Sequence, residues 1–210
     1  MKKISVIKAA LATIGLAASV SMCLAAAPSG ERPVRFVLTG GLTAGGDTIA
    51  KVEYSNGDSA KIKGGGLVQV GAGLQFQPVK SFSALATINY HVDNATAKNG
   101  DARFDRIPVE LLGFYHFNSR WRIGGGWRHT INPRFTADFD DQPSITVHYK
   151  DADSLVLQVG FGSERFWGGL RYVNESYKAE SGRINNSPAL RIDTSKDDGS
   201  HIGLIGYVAF

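Results

Sequence analysis

Residues 201–210 read HIGLIGYVAF, and their pattern decides the fold. Ile202, Leu204, Gly206, Val208 and Phe210 occupy every second position, which is the period of a strand with one apolar face. In water, such a strand is an aggregation hazard unless its face is covered and its edges are paired. Lipid on the face and the first strand of the chain on the free edge would meet both needs. The expectation is therefore a closed barrel in a membrane.

Working back from that strand, the same alternation recurs over residues 34–43, 67–77, 82–92, 104–117, 121–131, 155–162 and 166–177, so that eight segments are expected in all. Most have close to the roughly 9 to 11 residues that a tilted strand needs to cross the hydrocarbon layer. The connections alternate in length. PVKS, NSR and SER are tight, whereas residues 44–66, 93–103, 132–154 and 178–200 are long and polar. An even number of strands, with short turns at one end and long loops at the other, is the plan of an up-and-down transmembrane barrel. Glycine is abundant, at 25 of 210 residues against a usual share of about 7%, and it falls within strand-like contexts such as VGAGLQF and RIGGGWR. That placement fits a strongly curved sheet.

Aromatic residues sharpen the reading. Phe36, Phe76, Phe82, Phe117, Trp121, Phe161, Phe166 and Phe210 fall near segment ends on the short-turn side and are expected to face outward as one interfacial girdle. Tyr90, Phe104, Trp127 and Tyr172 are expected to form the other.

Length and charge narrow the classes further. The chain is long enough for one small barrel but short for two domains. The net charge of +4 owes three units to Lys2, Lys3 and Lys8, and without them 20 basic residues face 19 acidic ones. The balance gives no ground for a nucleic-acid partner. Residues 1–26 combine a basic start, an apolar stretch and a run of small residues, the order of a secretory signal peptide, with Leu24 and Ala26 at the recognition positions. The expected barrel domain is then 27–210. A retained anchor is a second reading of the same stretch. Lipidation at Cys23 is a third, from which Met22 departs. With a single cysteine no internal disulfide forms.

On the export signal, the strand and loop plan and the ending GYVAF, the chain resembles the small eight-stranded outer-membrane barrels of Gram-negative bacteria, the class of OmpA-type transmembrane domains, OmpX and OmpW. The resemblance implies an all-β, antiparallel, monomeric barrel in the bacterial outer membrane, with short periplasmic turns and long extracellular loops. It also implies outer-membrane lipid and lipopolysaccharide as surroundings. In such proteins a last strand carrying Leu204, Val208 and a terminal Phe210 looks like the signal read by the barrel-assembly machinery. Ile205 stands where many such strands carry glycine.

The inward set expected from the alternation is polar: Arg35, Gln69, Gln75, Thr87, Asn89, His91, Arg106, Glu110, Arg122, Arg128, Gln158, Arg171, Glu175 and Tyr207. Eight strands leave an interior that side chains can fill, and buried charges need partners. Glu110 is expected to pair with Arg122 or Arg128, and Glu175 with Arg171 or a neighbouring arginine. The expected role is structural or interactive at the cell surface. Two alternatives are a lipid A acyltransferase or deacylase built around His91, Asn89 and Glu175, with Asp93 or Ser176 near, and a narrow gated pore with Glu110 and Arg122 as its gate. Asp138, Asp140, Asp141, Asp151 and Asp153 crowd the third loop without the spacing of a calcium loop. EYSNGDSAKIK is expected to turn at Asn56 and Gly57 and to extend strands above the membrane. No P-loop, dinucleotide fingerprint or metal-ligand motif occurs, so no cofactor or metal is expected.

Overall fold

The structure is a computed structural model that describes residues 33–53, 59–97, 100–140, 143–185, 187–188 and 195–210. The expected signal segment, Cys23, the turn at Asn56 and Gly57, and Asp141 lie outside these residues.

Fourteen strands occur among the described residues: β1 (Val34–Gly45), β2 (Thr48–Glu53), β3 (Ser59–Lys63), β4 (Leu67–Val79), β5 (Phe82–Ala97), β6 (Gly100–His116), β7 (Trp121–Phe139), β8 (Ile145–Tyr149), β9 (Ala152–Gly162), β10 (Phe166–Asn174), β11 (Ser176–Ile184), β12 (Ser187–Pro188), β13 (Lys196–Asp198) and β14 (His201–Ala209). Eight of them close a ring in the order β1, β4, β5, β6, β7, β9, β10, β14, every contact antiparallel. These are the eight segments that the alternation marks. The last strand is paired on both edges, to β1 from Val37↔Ala209 to Gly45↔His201 and to β10 from Phe166↔Val208 to Val173↔His201. No edge of the ring is left open, which is how a barrel escapes the edge-strand problem.

The tight turns have local causes. Asn118 Oδ1 accepts hydrogen bonds from the backbone N–H groups of Arg120 and Trp121, both at 2.9 Å, an Asx turn between β6 and β7. Ser163 does the same work between β9 and β10, accepting from Phe166 N at 3.1 Å.

The two faces of the wall are inverted relative to a soluble barrel. Leu74, Ile88, Leu111, Leu155, Leu157, Leu170, Ile202 and Leu204 are each more than half exposed on the outside, while arginines and glutamates are buried within. The expected lower girdle faces outward, and its rings touch: Trp121 and Phe161 lie 4.9 Å apart by centroid, and Phe36 and Phe210 6.3 Å. Of the expected upper girdle, Tyr90, Trp127 and Tyr172 face outward. Phe104 does not. It is fully buried, because it shares the parity of Arg106 and Glu110 on β6 and must point the same way.

Three of the long connections are not loops over their whole length. β5 and β6 continue to the pair Ala97↔Gly100, so much of residues 93–103 is hairpin. β7 runs on to Phe139 and pairs there with β8, which in turn pairs with β11. A palisade of five strands thus stands beyond the apolar belt on one side of the barrel. Its geometry turns on Asn132, which takes a left-handed φ of 50° just before Pro133. The extra residue shifts the β6–β7 register between Asp105 and Ile107 and reverses which side chains of β7 face in. Below the bulge Arg128 and Thr130 point inward; above it Phe135 and Ala137 do.

The hairpin of the first long loop exists but does not extend the wall. β2 and β3 form a separate two-stranded sheet, and Ile62 is buried in one cluster with Phe104, Phe135, Tyr149 and Tyr177. Asp93 holds it by accepting from Lys63 N at 2.8 Å, and Arg106 by donating to Gly66 O at 3.1 Å. The hairpin is a cap on the mouth of the barrel.

Candidate functional site in the barrel lumen

The interior is layered. At the short-turn end Trp167 stacks on Tyr207 with centroids 3.7 Å apart, and Phe114 meets Trp167 edge-on at 5.2 Å. At the other end lies the apolar cap just described. Between them runs a chain of charges.

Glu110, on β6, is at its centre. Its carboxylate accepts from Arg128 Nη1 at 3.0 Å and from Arg171 Nη1 at 2.9 and 3.1 Å. Arg171 also donates to Gln158 Oε1 through Nε and Nη2, and to the Tyr207 hydroxyl at 2.7 Å. Arg128 donates to Gln69 Oε1 at 3.1 Å and lies 3.5 Å from Glu175. Glu175 in turn accepts from the hydroxyls of Thr130, Tyr177 and Ser154. The sequence Tyr207, Arg171, Glu110, Arg128, Glu175, Tyr177 therefore spans the lumen without a break. Two cations alternate with two anions, each at most 2% exposed. An isolated buried ion costs several kcal/mol, and alternation with full hydrogen bonding is what offsets that cost.

Glycine makes the room. A Cβ on Gly169 would lie 2.3 Å from Gln158 Nε2, and one on Gly71 2.1 Å from Asn89 Oδ1. Both amides reach the lumen only across a bare backbone.

The pairing differs in part from the expectation. Glu110 and Arg128 are direct cross-strand partners, whereas Arg122 stands opposite His116, six residues nearer the short turns and about 20 Å along the strand. Arg122 donates to Ser163 O at 2.9 Å and lies over the Trp167 ring at 4.4 Å. The proposed gate of Glu110 with Arg122 is not a contact. Glu175 pairs with Arg128, while Arg171 belongs to Glu110.

His91, Asn89 and Glu175 all face inward, but they do not form one constellation. Arg128 Nη2 lies 3.0 Å from His91 Nδ1, while Arg106 Nη2 at 3.1 Å and Thr43 Oγ1 at 2.8 Å both lie on Nε2. A guanidinium can only donate, and a neutral imidazole has one acceptor nitrogen, so in either tautomer an arginine faces that acceptor. The one basic nitrogen of His91 is thereby occupied. Asn89 donates instead to Thr87 and to Pro108 O. Reading by segment missed Tyr177, Trp167 and His201, whose ring lies 5.2 Å from that of His91. Parity carried along each strand finds them, since Tyr177 follows Glu175 by two and Trp167 precedes Arg171 by four.

Among the described residues no group of three or more histidines, cysteines or carboxylates is arranged to hold a metal ion. Of the loop aspartates, Asp151 accepts from Asn132 N at 2.8 Å. Asp153 joins the Trp127 indole N–H at 3.0 Å and His129 Nδ1 at 2.9 Å on the outer wall.

In the cap, beyond the apolar belt, burial pushes the Tyr149 phenol up to about 12, with the field of Asp197 adding to it. The neutral phenol is the form the fold favours, so its contribution is whole below pH 10 and is lost as pH rises from 10 towards 12. Alkaline ultraviolet titration of the protein and of Tyr149→Phe should differ by one phenol ionising near pH 12. A difference curve centred at 10 would remove the cap from the account of this residue.

The described residues thus define a closed eight-stranded antiparallel barrel, apolar outside and ionic within. No known family matches the sequence, and no curated protein matches it. Among solved structures, the chain is similar to Neisserial surface protein A (NspA) at 11% identity, with 87% of this chain and 100% of that one covered and a TM-score of 0.48. It is similar to the outer membrane protein AlkL, solved in lipid bilayers, at 14% identity over 88% and 94% of the two chains, with a TM-score of 0.46. The translocator domain of the autotransporter NalP from Neisseria meningitidis gives 16% identity, 95% and 70% coverage, and a TM-score of 0.48.

Proposed function

We propose that this protein is an integral outer-membrane β-barrel whose lumen is closed by its ionic chain and which serves a structural or surface-interaction role in the cell envelope. The observation that carries the reading is the inversion of the wall. Large apolar side chains lie on the outside of all eight strands, and the charged groups inside are sealed between an aromatic floor and an apolar cap. Lipid is the solvent that makes such an exterior stable, and a closed barrel satisfies every backbone group within it. Leu204 and Val208 lie on the outer face of β14 and Phe210 follows just past its end, where the assembly machinery would meet them before the strand closes on β1.

Detergent-purified protein should migrate differently on a gel when unheated and when boiled. In planar bilayers it should give no unitary conductance steps, because the linked charges of the ionic layer, each at most 2% exposed, cross the lumen. Identical mobility in both gel lanes would remove the membrane-barrel reading. Reproducible steps would remove the sealed lumen and restore a pore.

A further inference from the structure

On the outer wall of β5, β6 and β7, just past Tyr90, one carboxylate holds two arginines side by side. Asp105 Oδ1 accepts from Arg103 Nε at 3.2 Å and Asp105 Oδ2 from Arg134 Nη2 at 3.3 Å. The carboxylate is 11% exposed, whereas the two guanidiniums are 45% and 39% exposed. Each arginine spends one N–H on Asp105 and, among the described residues, forms an ion pair with no other carboxylate. Both guanidiniums are more than a third exposed and keep further N–H donors, Arg134 Nε being buried without a partner, and the Tyr90 phenol lies in the field of both.

The height of this cluster is what gives it meaning. Asp105 pairs with Val92, two residues beyond the girdle residue Tyr90. Below it Ile107, Ile88 and Leu111 form a continuous apolar descent on the outer wall. Above it, Asp101 and Asp138 face each other one rung further out, and His148 stands opposite Arg134 on β8. The acidic pair bounds the site on the solvent side, so an anion fits only at the level of the arginines. That level is the headgroup layer of the membrane reading, on which this inference rests.

We propose that Arg103 and Arg134, pinned by Asp105 and flanked by Tyr90, bind the phosphate of an outer-leaflet lipid whose acyl chains lie on the apolar wall beneath. Two planar guanidiniums held side by side on one carboxylate suit a phosphate, which accepts several charge-assisted hydrogen bonds at once. Asp105 is a positioning residue. It fixes the separation of the pair and removes the conformational freedom that a phosphate would otherwise have to freeze.

Native mass spectrometry of the full chain in detergent micelles tests this. Bisphosphorylated lipid A or phosphatidylcholine is added at equal mole fraction, and retained lipid is counted. The protein should retain lipid A at least tenfold over phosphatidylcholine. The double variant R103A/R134A should lose that preference, and Arg120→Ala, in a short turn, should keep it. Asp105→Asn should fall between. Equal retention by the double variant overturns the site. Displacement of lipid A by millimolar inorganic phosphate overturns the lipid as its occupant. If the micellar protein shows no heat-dependent mobility shift, the membrane reading fails instead, and the two failures are told apart by that gel. A double variant that fails to shift is replaced by R103Q/R134Q, which keeps side-chain length and removes the charge.

Discussion

Glu110→Ala is expected to be the most damaging single substitution in this barrel. It leaves Arg128 and Arg171, both at most 1% exposed, facing each other across the space the carboxylate filled. Arg171 then keeps only neutral partners, Gln158 and Tyr207, and Arg128 falls back on Glu175 at 3.5 Å. Removing one partner of a buried ion pair costs about 3–5 kcal/mol, most of it the uncompensated charge left behind. In micelles or vesicles the urea midpoint of unfolding should fall accordingly, and the folded band on unboiled gels should vanish at a lower temperature. Removing the second charge supplies the contrast. The double variant Glu110→Leu with Arg171→Met should recover more than half of the loss, because an apolar replacement of the whole pair leaves no orphaned ion. A midpoint for Glu110→Ala within about 0.5 kcal/mol of the parent protein would show that water or ions, not Glu110, balance the arginines.

How far the sequence alone leads can be seen in this same network. Alternation on each segment places Glu110, Arg128, Arg171 and Glu175 inside, because period 2 leaves no freedom once one face is apolar. It does not say at what height they meet. Height follows from register, and register depends on the stagger of neighbouring strands around the ring, which no single segment carries. That is why Arg122 looks like a partner of Glu110 along the chain and lies about 20 Å from it in the fold. The palisade is hidden in the sequence for another reason. Beyond the belt the outer face is polar, and Arg103, Asp105 and Arg134 interrupt the apolar alternation that marks a strand lower down. The reversal of parity at Asn132 hides the inward Phe135 and Ala137 as well. Phe104 was legible, since Arg106 and Glu110 fix its direction; its aromatic character pulled it to the girdle against its parity.

The claim that lipid surrounds the barrel makes a depth-dependent prediction that a water-soluble barrel does not share. Leu157 is 65% exposed at mid-height on β9, where it pairs with Gly125 on one side and Tyr172 on the other. Arginine there points away from the protein and disturbs no packed interior. In water the exchange is close to neutral, since surface substitutions away from special features stay within about 0.5 kcal/mol. In a bilayer the same charge at the midplane costs about 2–4 kcal/mol, and near the interfaces only about 0–1. Leu157→Arg should therefore destabilise the barrel in vesicles by about 2–4 kcal/mol. Thr136→Arg, on β7 beyond the belt and opposite Arg103, should cost at most about 1 kcal/mol, the scale of like charges facing each other across a ladder. Measuring both by urea unfolding in phosphatidylcholine vesicles separates burial in lipid from exposure in general. Equal and small effects at the two positions would mean that the apolar outer wall faces something other than a bilayer. A large effect confined to Leu157 ties the inverted pattern of HIGLIGYVAF, and of the seven segments like it, to the solvent that selected it.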